Sequence, residues 1–200
     1  MTGDMRHMHK SSALVAIVVA AGLTVAGCSS ASPQGASQPA APSRVGQPAT
    51  SVGVAVTVTR VAAAPSVALN QSGYLPGSGY DTYTDTPAGA GEKYVLVSTH
   101  ITNNQAKPLD LACGMPLKTF ATDDQGHRYA PKDQLFKLKG NPQCDEAIEP
   151  GQAGDMTWIY RVPADAHVVS WQFQENSGGL PLLRRNDDAP TLVQLDAPVT

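Results

Sequence analysis

The first of the chain's three cysteines, Cys28, lies at the end of an apolar stretch where its thiol could be modified. Residues 1–10 carry two basic side chains, and residues 13–27 are almost wholly apolar. A charged start, an apolar run of about fifteen residues and small residues at its end are typical of a cleaved secretory signal. A membrane-spanning helix needs about twenty apolar residues, which this run does not reach. We therefore predict that residues 1–27 are a signal peptide.

The residues before Cys28 resemble the lipobox of exported bacterial proteins. Val25 is aliphatic, Ala26 and Gly27 are small, and the cysteine follows directly. Small residues let a peptidase approach the backbone, and the thiol can accept a diacylglyceryl group. Because two or more acyl chains hold a protein stably on a bilayer, we expect a lipid anchor on Cys28 at the extracytoplasmic face of the cell membrane. The alternative is an ordinary cleaved signal followed by an unmodified cysteine.

Residues 28–51 are rich in Ala, Pro, Ser, Gly and Gln, and Arg44 is their one charged residue. Such a stretch cannot bury enough apolar surface to offset the entropy that ordering would cost. We predict a disordered tether over residues 28–51. The remaining residues, 52–200, are enough for one domain with a substantial core.

The other two cysteines, Cys113 and Cys144, form an even pair in a chain that is expected to be exported. Outside the cytoplasm such a pair usually forms a disulfide. The bond would close a loop of about thirty residues and contribute roughly 3–4 kcal/mol in the chain-entropy model. Metal binding by these thiols is the competing interpretation, but the chain has no CxxC spacing or nearby histidine pair to support it.

Alternation of apolar and polar residues predicts strands throughout the folded part. The predicted strands are VGVAVTVTR, YVLVSTHITNN, LKTFATD, MTWIYRV, HVVSWQF and TLVQL. We expect the following residues to lie on shared faces of three of them: Val95, Val97, Thr99 and Ile101; Met156, Trp158, Tyr160 and Val162; Val169, Trp171 and Phe173. Asn103 and Asn104 suit a turn that tolerates positive φ. Short strands separated by Gly and Pro turn signals indicate an all-β, antiparallel β-sandwich.

The order of four segments resembles the DUF4352 family of exported bacterial proteins. The segments are GEKYVLVSTHITNN, LKTFATDDQGHRYAP, EPGQAGDMTWIYRVPADA and VVSWQF, between Val52 and Phe173. The resemblance implies an immunoglobulin-like β-sandwich in the cell envelope. It implies no catalytic residues.

The remaining chemistry-bearing residues do not form a recognisable catalytic or metal-binding pattern. His100, His127 and His167 lack metal-ligand spacing, and the serines lack a nucleophile elbow. The net charge of −3 disfavours a nucleic-acid binder. We therefore expect a protein that is not an enzyme and that needs no cofactor and no metal.

The segment from Asn70 to Glu92 contains Tyr74, Tyr80 and Tyr83 among several glycines. Long loops in compact domains are usually functional or disordered, and Tyr, Gly and Ser together are typical of adaptable binding loops. We predict that these tyrosines bind a protein partner in the envelope or outside the cell, and that the domain is a binding or interaction module. The alternatives are a tyrosine that plugs one end of the sandwich and, for the whole domain, an extracytoplasmic carrier of a small ligand or metal.

Soft ligands for a carrier of this kind would be Met115, Met156 and the histidines. A metal site would need three or four of them to converge. In the predicted sandwich, however, Met156 is expected to point into the core.

Overall fold

The computed structural model describes residues 41–51, 53–176 and 189–199 of the chain. These residues form strands and one 3-10 turn, Leu135–Lys137, and the described part contains no α-helix. The strands are β1 (Ser43–Arg44), β2 (Pro48–Ser51), β3 (Val54–Ala64), β4 (Ser66–Asn70), β5 (Tyr83–Pro87), β6 (Glu92–Asn103), β7 (Leu117–Asp123), β8 (Arg128–Tyr129), β9 (Ala153–Pro163), β10 (Val168–Glu175) and β11 (Thr191–Val199). The predicted all-β class is confirmed.

The strands form two main sheets and a hairpin. One sheet has the order β1-β11-β10-β7-β8, the other has the order β2-β3-β6-β9, and β4 pairs with β5. Every pairing is antiparallel except that of β1 with β11. The two sheets pack face to face over one hydrophobic core, which is the predicted antiparallel β-sandwich.

The core contains the inward-facing residues of both sheets. The predicted faces of β6 and β9 are confirmed, because all eight of their residues are buried: Val95, Val97, Thr99, Ile101, Met156, Trp158, Tyr160 and Val162. From the opposite sheet, Trp171 packs against Trp158 with ring centroids 6.4 Å apart. Alternation at a period of two is therefore sufficient to identify this part of the core.

The predicted face of β10 is wrong at one position. Trp171 and Phe173 are buried, but Val169 is only half-buried, and its neighbour Val168 is fully buried instead. The pairing with β7 shifts between Val168 and Ser170, as in a β-bulge. A bulge adds one residue to a strand and reverses the alternation beyond it, so a strict period of two assigns the wrong valine to the core.

The predicted start of the domain at residue 52 is too late. Strands β1 and β2 lie between residues 43 and 51, inside the predicted tether, and both pair with strands of the main sheets. Ala49 of β2 is buried in the core. Most residues of the segment 43–51 are small or polar, but the backbones of β1 and β2 pair with neighbouring strands, and this pairing orders them.

Several sequence predictions lie outside the described residues. They include the signal peptide at residues 1–27, the lipidation site at Cys28, the tether up to residue 40 and Val52 of the first predicted strand. The described part of the chain has no helix with the length and apolar character that a membrane span requires.

Cys113 and Cys144 are joined by a disulfide, with their Cα atoms 5.0 Å apart. Close to the bond, Leu109 and Ile148 exchange two backbone hydrogen bonds of 3.0 Å. The carboxylate of Asp110 accepts hydrogen bonds from the backbone N–H groups of the three residues Ala112–Gly114. The disulfide therefore connects two loops that the backbone also holds together.

Candidate functional site

The loop at residues 71–82, between β4 and β5, carries the largest exposed apolar side chains of the described residues. Tyr74 is 60% exposed, Leu75 is 70% exposed and Tyr80 is 74% exposed. The two tyrosine rings are in contact, with centroids 5.6 Å apart and planes tilted by 41°. We call these three residues the aromatic tip. Large apolar side chains grouped on a surface commonly mark a place where another molecule binds.

Asn70, at the end of β4, organises the first half of this loop. Its side chain is buried and donates a 2.8 Å hydrogen bond to the carbonyl of Tyr74. The side-chain oxygen of Asn70, Oδ1, accepts hydrogen bonds from the backbone N–H of Ser72 at 3.0 Å and from the hydroxyl of Ser72 at 2.6 Å. An asparagine that bonds the backbone two residues ahead forms an Asx turn, which mimics a backbone turn. Tyr74 is therefore presented by a loop with its own hydrogen-bonded structure.

Short hydrogen bonds also order the second half of the loop. The backbone N–H of Ser78 donates to the carbonyl of Leu75 at 3.2 Å. Gly79 donates to the carboxylate of Asp81 at 3.2 Å. Backbone hydrogen bonds, the largest from Gly77, lower the pKa of Asp81, so this carboxylate is charged at neutral pH. Both rings are therefore exposed on a loop in which several backbone N–H groups are hydrogen-bonded.

The structure separates Tyr83 from the other two predicted binding residues. Tyr83 begins β5 and pairs with Asn70 in the β4–β5 hairpin. Its side chain is half-buried, and the Nζ atom of Lys139 lies 5.8 Å from its ring centroid. The predicted long connection is therefore shorter than expected, because β5 occupies part of it. Tyr74 and Tyr80 remain as the exposed pair.

The three histidines of the folded part are exposed on the surface. His100 is 2.8 Å from Asp155, and His127 is 2.9 Å from Asp123. His167 is exposed just before β10. Among residues 41–51, 53–176 and 189–199, no three His, Cys, Asp or Glu side chains form a group that could hold a metal ion.

The two methionines suggested as soft metal ligands do not converge. Met156 is buried in the core with 1% of its surface exposed, whereas Met115 is 42% exposed. The side chain of Met156 therefore packs inside the core, as expected for an inward-facing residue of β9.

Two residues of the candidate site were missed at the level of sequence. Leu75 lies directly beside Tyr74, but a composition of tyrosine, glycine and serine gives no signal for a leucine. Asn70 is the first residue of the predicted loop segment, and its side chain organises the loop. The signal for it was the Asn-x-Ser spacing of Asn70 and Ser72, which permits an Asx turn.

Comparison with protein-family models and with curated proteins returns no match to this chain. Among solved structures, an uncharacterised β-sandwich protein from Clostridium difficile 630 is 18% identical, with a TM-score of 0.48 over 77% of this chain and 94% of the other. The yjhA protein from Bacillus subtilis is 13% identical, with the same TM-score over 77% of this chain and 99% of the other. A candidate lipoprotein, ycdA, also from Bacillus subtilis, is 11% identical, with a TM-score of 0.45 over 75% of this chain and 38% of the other.

Proposed function

We propose that this chain is a lipid-anchored, non-catalytic protein of the bacterial cell envelope whose β-sandwich binds a protein partner through the aromatic tip. The observation that carries the proposal is the exposure of Tyr74, Leu75 and Tyr80 on a hydrogen-bonded loop. The anchor is supported by the small residues that precede Cys28. The order of the four sequence segments that resembles the DUF4352 family would fit an envelope protein, although no family model matches the chain, and it supplies no partner.

The hydrogen-bonded structure of this loop favours binding for a thermodynamic reason. A flexible loop loses conformational entropy when a partner fixes it, and that loss weakens association. The bonds from Asn70 fix part of this loop before any partner arrives. Tyrosine also offers a large contact area with only two side-chain torsions to immobilise.

Site-specific photocrosslinking in intact cells tests the proposal. The full-length lipidated protein would carry a photoreactive phenylalanine analogue at Tyr74 or, separately, at Tyr80. A third protein would carry it at Leu192, which is 37% exposed on β11 and serves as the control. We expect the same crosslinked protein from both tip positions and not from Leu192. Equal crosslinking at Leu192, or none at either tip position, would contradict the proposal.

The double variant Tyr74→Ser, Tyr80→Ser provides a matched test of affinity. Aromatic anchors at the centre of an interface contribute about 2 kcal/mol each, so the affinity for the crosslinked protein should fall by at least about thirtyfold. Because both rings are exposed, the melting temperature should stay nearly unchanged. A large drop in melting temperature would show that the rings stabilise the fold, which would remove the reason for assigning them to a partner.

The carrier alternative gains no supporting observation from the methionines and histidines of the described residues. It would require bound metal in the purified, mature protein. Elemental analysis that found copper or zinc in a fixed ratio to protein would favour it over the interaction module.

A further inference from the structure

Strand β5 has a partner strand on one side only. It pairs antiparallel with β4 over its whole length, and no other strand among the described residues pairs with it. Thr84, Asp85 and Pro87 of this strand are exposed, and its other two residues are half-buried. Its outer side is therefore an accessible strand edge, which is a template on which another chain can add a strand.

Two hydrogen bonds at the ends of the β4–β5 hairpin show which backbone groups of β5 point outward. The backbone N–H of Ala88 donates to the carbonyl of Pro65 at 3.0 Å, and the carbonyl of Thr82 accepts a bond of 3.2 Å at the other end. Because hydrogen-bonded and non-hydrogen-bonded pairs alternate along an antiparallel ladder, the even-numbered residues of β5 bond to β4. The backbone N–H and C=O groups of Tyr83 and Asp85 point away from β4, and we call these four groups the β5 edge.

The β5 edge is short and has a defined end. Pro87 has no backbone N–H, and its carbonyl accepts a 3.3 Å hydrogen bond from the hydroxyl of Tyr94. Within the described ranges, the backbone groups of Tyr83 and Asp85 have no hydrogen-bond partner. Two donors and two acceptors spaced in this way match one extended segment of about four residues.

The protein covers the outer edges of two other strands. The side chain of Asn141 accepts from the backbone N–H of Thr157 on β9 at 2.9 Å and donates to its carbonyl at 2.8 Å. Lys139 donates its backbone N–H to the carbonyl of Ala68 on β4 at 3.1 Å. Cover of this kind prevents pairing with another chain. The β5 edge lacks it, although β5 is paired with one of these covered strands.

Acidic side chains beside the β5 edge determine which kind of segment fits. Asp85 is exposed on the strand, and Asp81 precedes Tyr83 by two residues. Neither carboxylate forms an ion pair with a described residue, and Lys139 lies instead 5.8 Å from the ring centroid of Tyr83. Opposite charges attract, so these carboxylates favour a segment that carries lysine or arginine. A second copy of this chain would bring the same aspartates together and is disfavoured.

We propose that the β5 edge binds an extended, basic segment of the partner protein by strand addition. Backbone hydrogen bonds to Tyr83 and Asp85 hold the segment, and its basic side chains lie beside Asp85. The edge is continuous with the aromatic tip, because Tyr80 precedes Tyr83 by three residues. The inference rests on the proposed function, since it states the chemistry of the protein that the tip is proposed to bind.

Amide hydrogen exchange tests the inference, measured by NMR on the full-length lipidated protein in perdeuterated detergent. The probe is a short peptide of alternating valine and lysine with blocked ends. In the free protein, the amides of Tyr83 and Asp85 should exchange rapidly, whereas those of Thr84 and Thr86, which bond to β4, should exchange slowly. Saturation with the peptide should slow exchange at Tyr83 and Asp85 by at least about tenfold. A contact at the aromatic tip alone would not protect these two amides.

Two further peptides separate the contributions of charge and backbone. The peptide with glutamate in place of lysine loses the attraction to Asp85 and gains a repulsion, so it should bind about tenfold more weakly. The valine–lysine peptide methylated at every backbone nitrogen keeps its charges but has no backbone donor. It should protect neither Tyr83 nor Asp85.

Variants of the protein make the same separation from the other side. Asp85→Pro removes an outward N–H without removing a bond to β4, so it should abolish protection of Tyr83 while Thr84 and Thr86 still exchange slowly. Asp85→Asn keeps the N–H and should retain protection of Tyr83, with a smaller difference between the lysine and glutamate peptides. Asp124→Asn, at an exposed carboxylate of the β7–β8 hairpin, is the matched control and should bind both peptides like the unchanged protein.

Rapid exchange at Tyr83 and Asp85 with the valine–lysine peptide at saturating concentration would overturn the inference, as would equal protection by the methylated peptide. Protection that appears without peptide and grows with protein concentration would assign the edge to a second copy of this chain. Failure of the proposed function is a different result, in which photocrosslinking at Tyr74 and Tyr80 yields no partner while the peptide still protects the β5 edge. Crosslinks at the tip without protection by the peptide would remove this inference alone.

Discussion

The indole N–H of Trp171 donates a 2.6 Å hydrogen bond to the phenolic oxygen of Tyr160, and both residues are fully buried. Trp171 belongs to the five-stranded sheet and Tyr160 to the four-stranded sheet, so this bond crosses the core. The hydroxyl of Thr119, on β7, is 2.7 Å from the same phenolic oxygen. A buried polar group without a partner is costly, and this arrangement gives a partner to the indole N–H, the phenolic hydroxyl and the threonine hydroxyl. The bond also favours one alignment of the two sheets over others.

Tyr160→Phe should lower the free energy of unfolding by about 1–3 kcal/mol, the usual cost of leaving a buried donor unsatisfied. The substitution keeps the ring and removes only the oxygen that Trp171 and Thr119 share. Burial raises the pKa of Tyr160 above its ordinary value, so the hydroxyl is protonated at neutral pH. Urea unfolding measures the loss. Tyr74→Phe, at an exposed ring, should leave the free energy unchanged, and an equally stable Tyr160→Phe protein would contradict the role of the bond.

The carboxylate of Asp123 organises the hairpin between β7 and β8 and makes its stability depend on pH. One oxygen accepts the backbone N–H groups of Gln125 and His127, and the other lies 2.8 Å from the hydroxyl of Tyr129 and 2.9 Å from the ring nitrogen of His127. Burial, the largest effect, raises the pKa of Asp123, but the bonds from Tyr129 and His127 together outweigh it. They lower the pKa from 3.8 to about 2.

A lowered pKa means that the folded state holds the charged carboxylate more strongly than the unfolded state does. Its contribution to stability is therefore present above about pH 4 and is lost as the pH falls towards about 2. Asp123→Asn should reduce stability at neutral pH and should remove this part of the loss at low pH. Urea unfolding of both proteins from about pH 5 to about pH 2 measures the difference between their free energies of unfolding, which should shrink as the pH falls. A constant difference across that range would contradict the assignment.

The disulfide between Cys113 and Cys144 should stabilise the domain without being needed for its fold. Its sequence separation of 31 residues corresponds to roughly 3–4 kcal/mol in the chain-entropy model. The two hydrogen bonds between Leu109 and Ile148 still join the same loops when it is absent. The double variant Cys113→Ser, Cys144→Ser should thus unfold at a lower urea concentration with an intact strand signal in circular dichroism. Free thiols at both positions in the protein purified under oxidising conditions would contradict the bond.

The sequence was most informative where burial imposes a regular pattern. In β6, valines at alternate positions identify the inward face, because each has a buried neighbour on β9. The pattern failed at Val169, where a bulge inserts a residue, because a bulge depends on the neighbouring strands rather than on local composition. It also missed β5, where Tyr83–Pro87 is mostly polar and ends in proline, since backbone pairing with β4 orders the segment.

The candidate site shows the same division between local and long-range information. Composition was sufficient to select the loop that holds Tyr74 and Tyr80, but not to exclude Tyr83, whose place is set by its pairing with β4.

The turn after β6 shows the same limit. Asn103 was expected in a turn with positive φ. It ends β6 instead, and its side chain donates to the carbonyls of Lys107 and Ile148, both at 2.8 Å. The contact with Ile148, 45 residues further along the chain, cannot be inferred from either stretch alone.

Cys28→Ala tests the predicted anchor, which would hold the β-sandwich at the membrane. Without the thiol no diacylglyceryl group can be attached, and each buried CH₂ of such a group contributes about 0.8 kcal/mol to membrane binding. The variant should therefore leave the membrane fraction or remain as an uncleaved precursor. Ser29→Ala, one residue further on, keeps the thiol and should partition into detergent like the unchanged protein. If the Cys28→Ala protein were processed and still entered the detergent phase, the lipid would not be on this residue, and the chain would need another means of attachment.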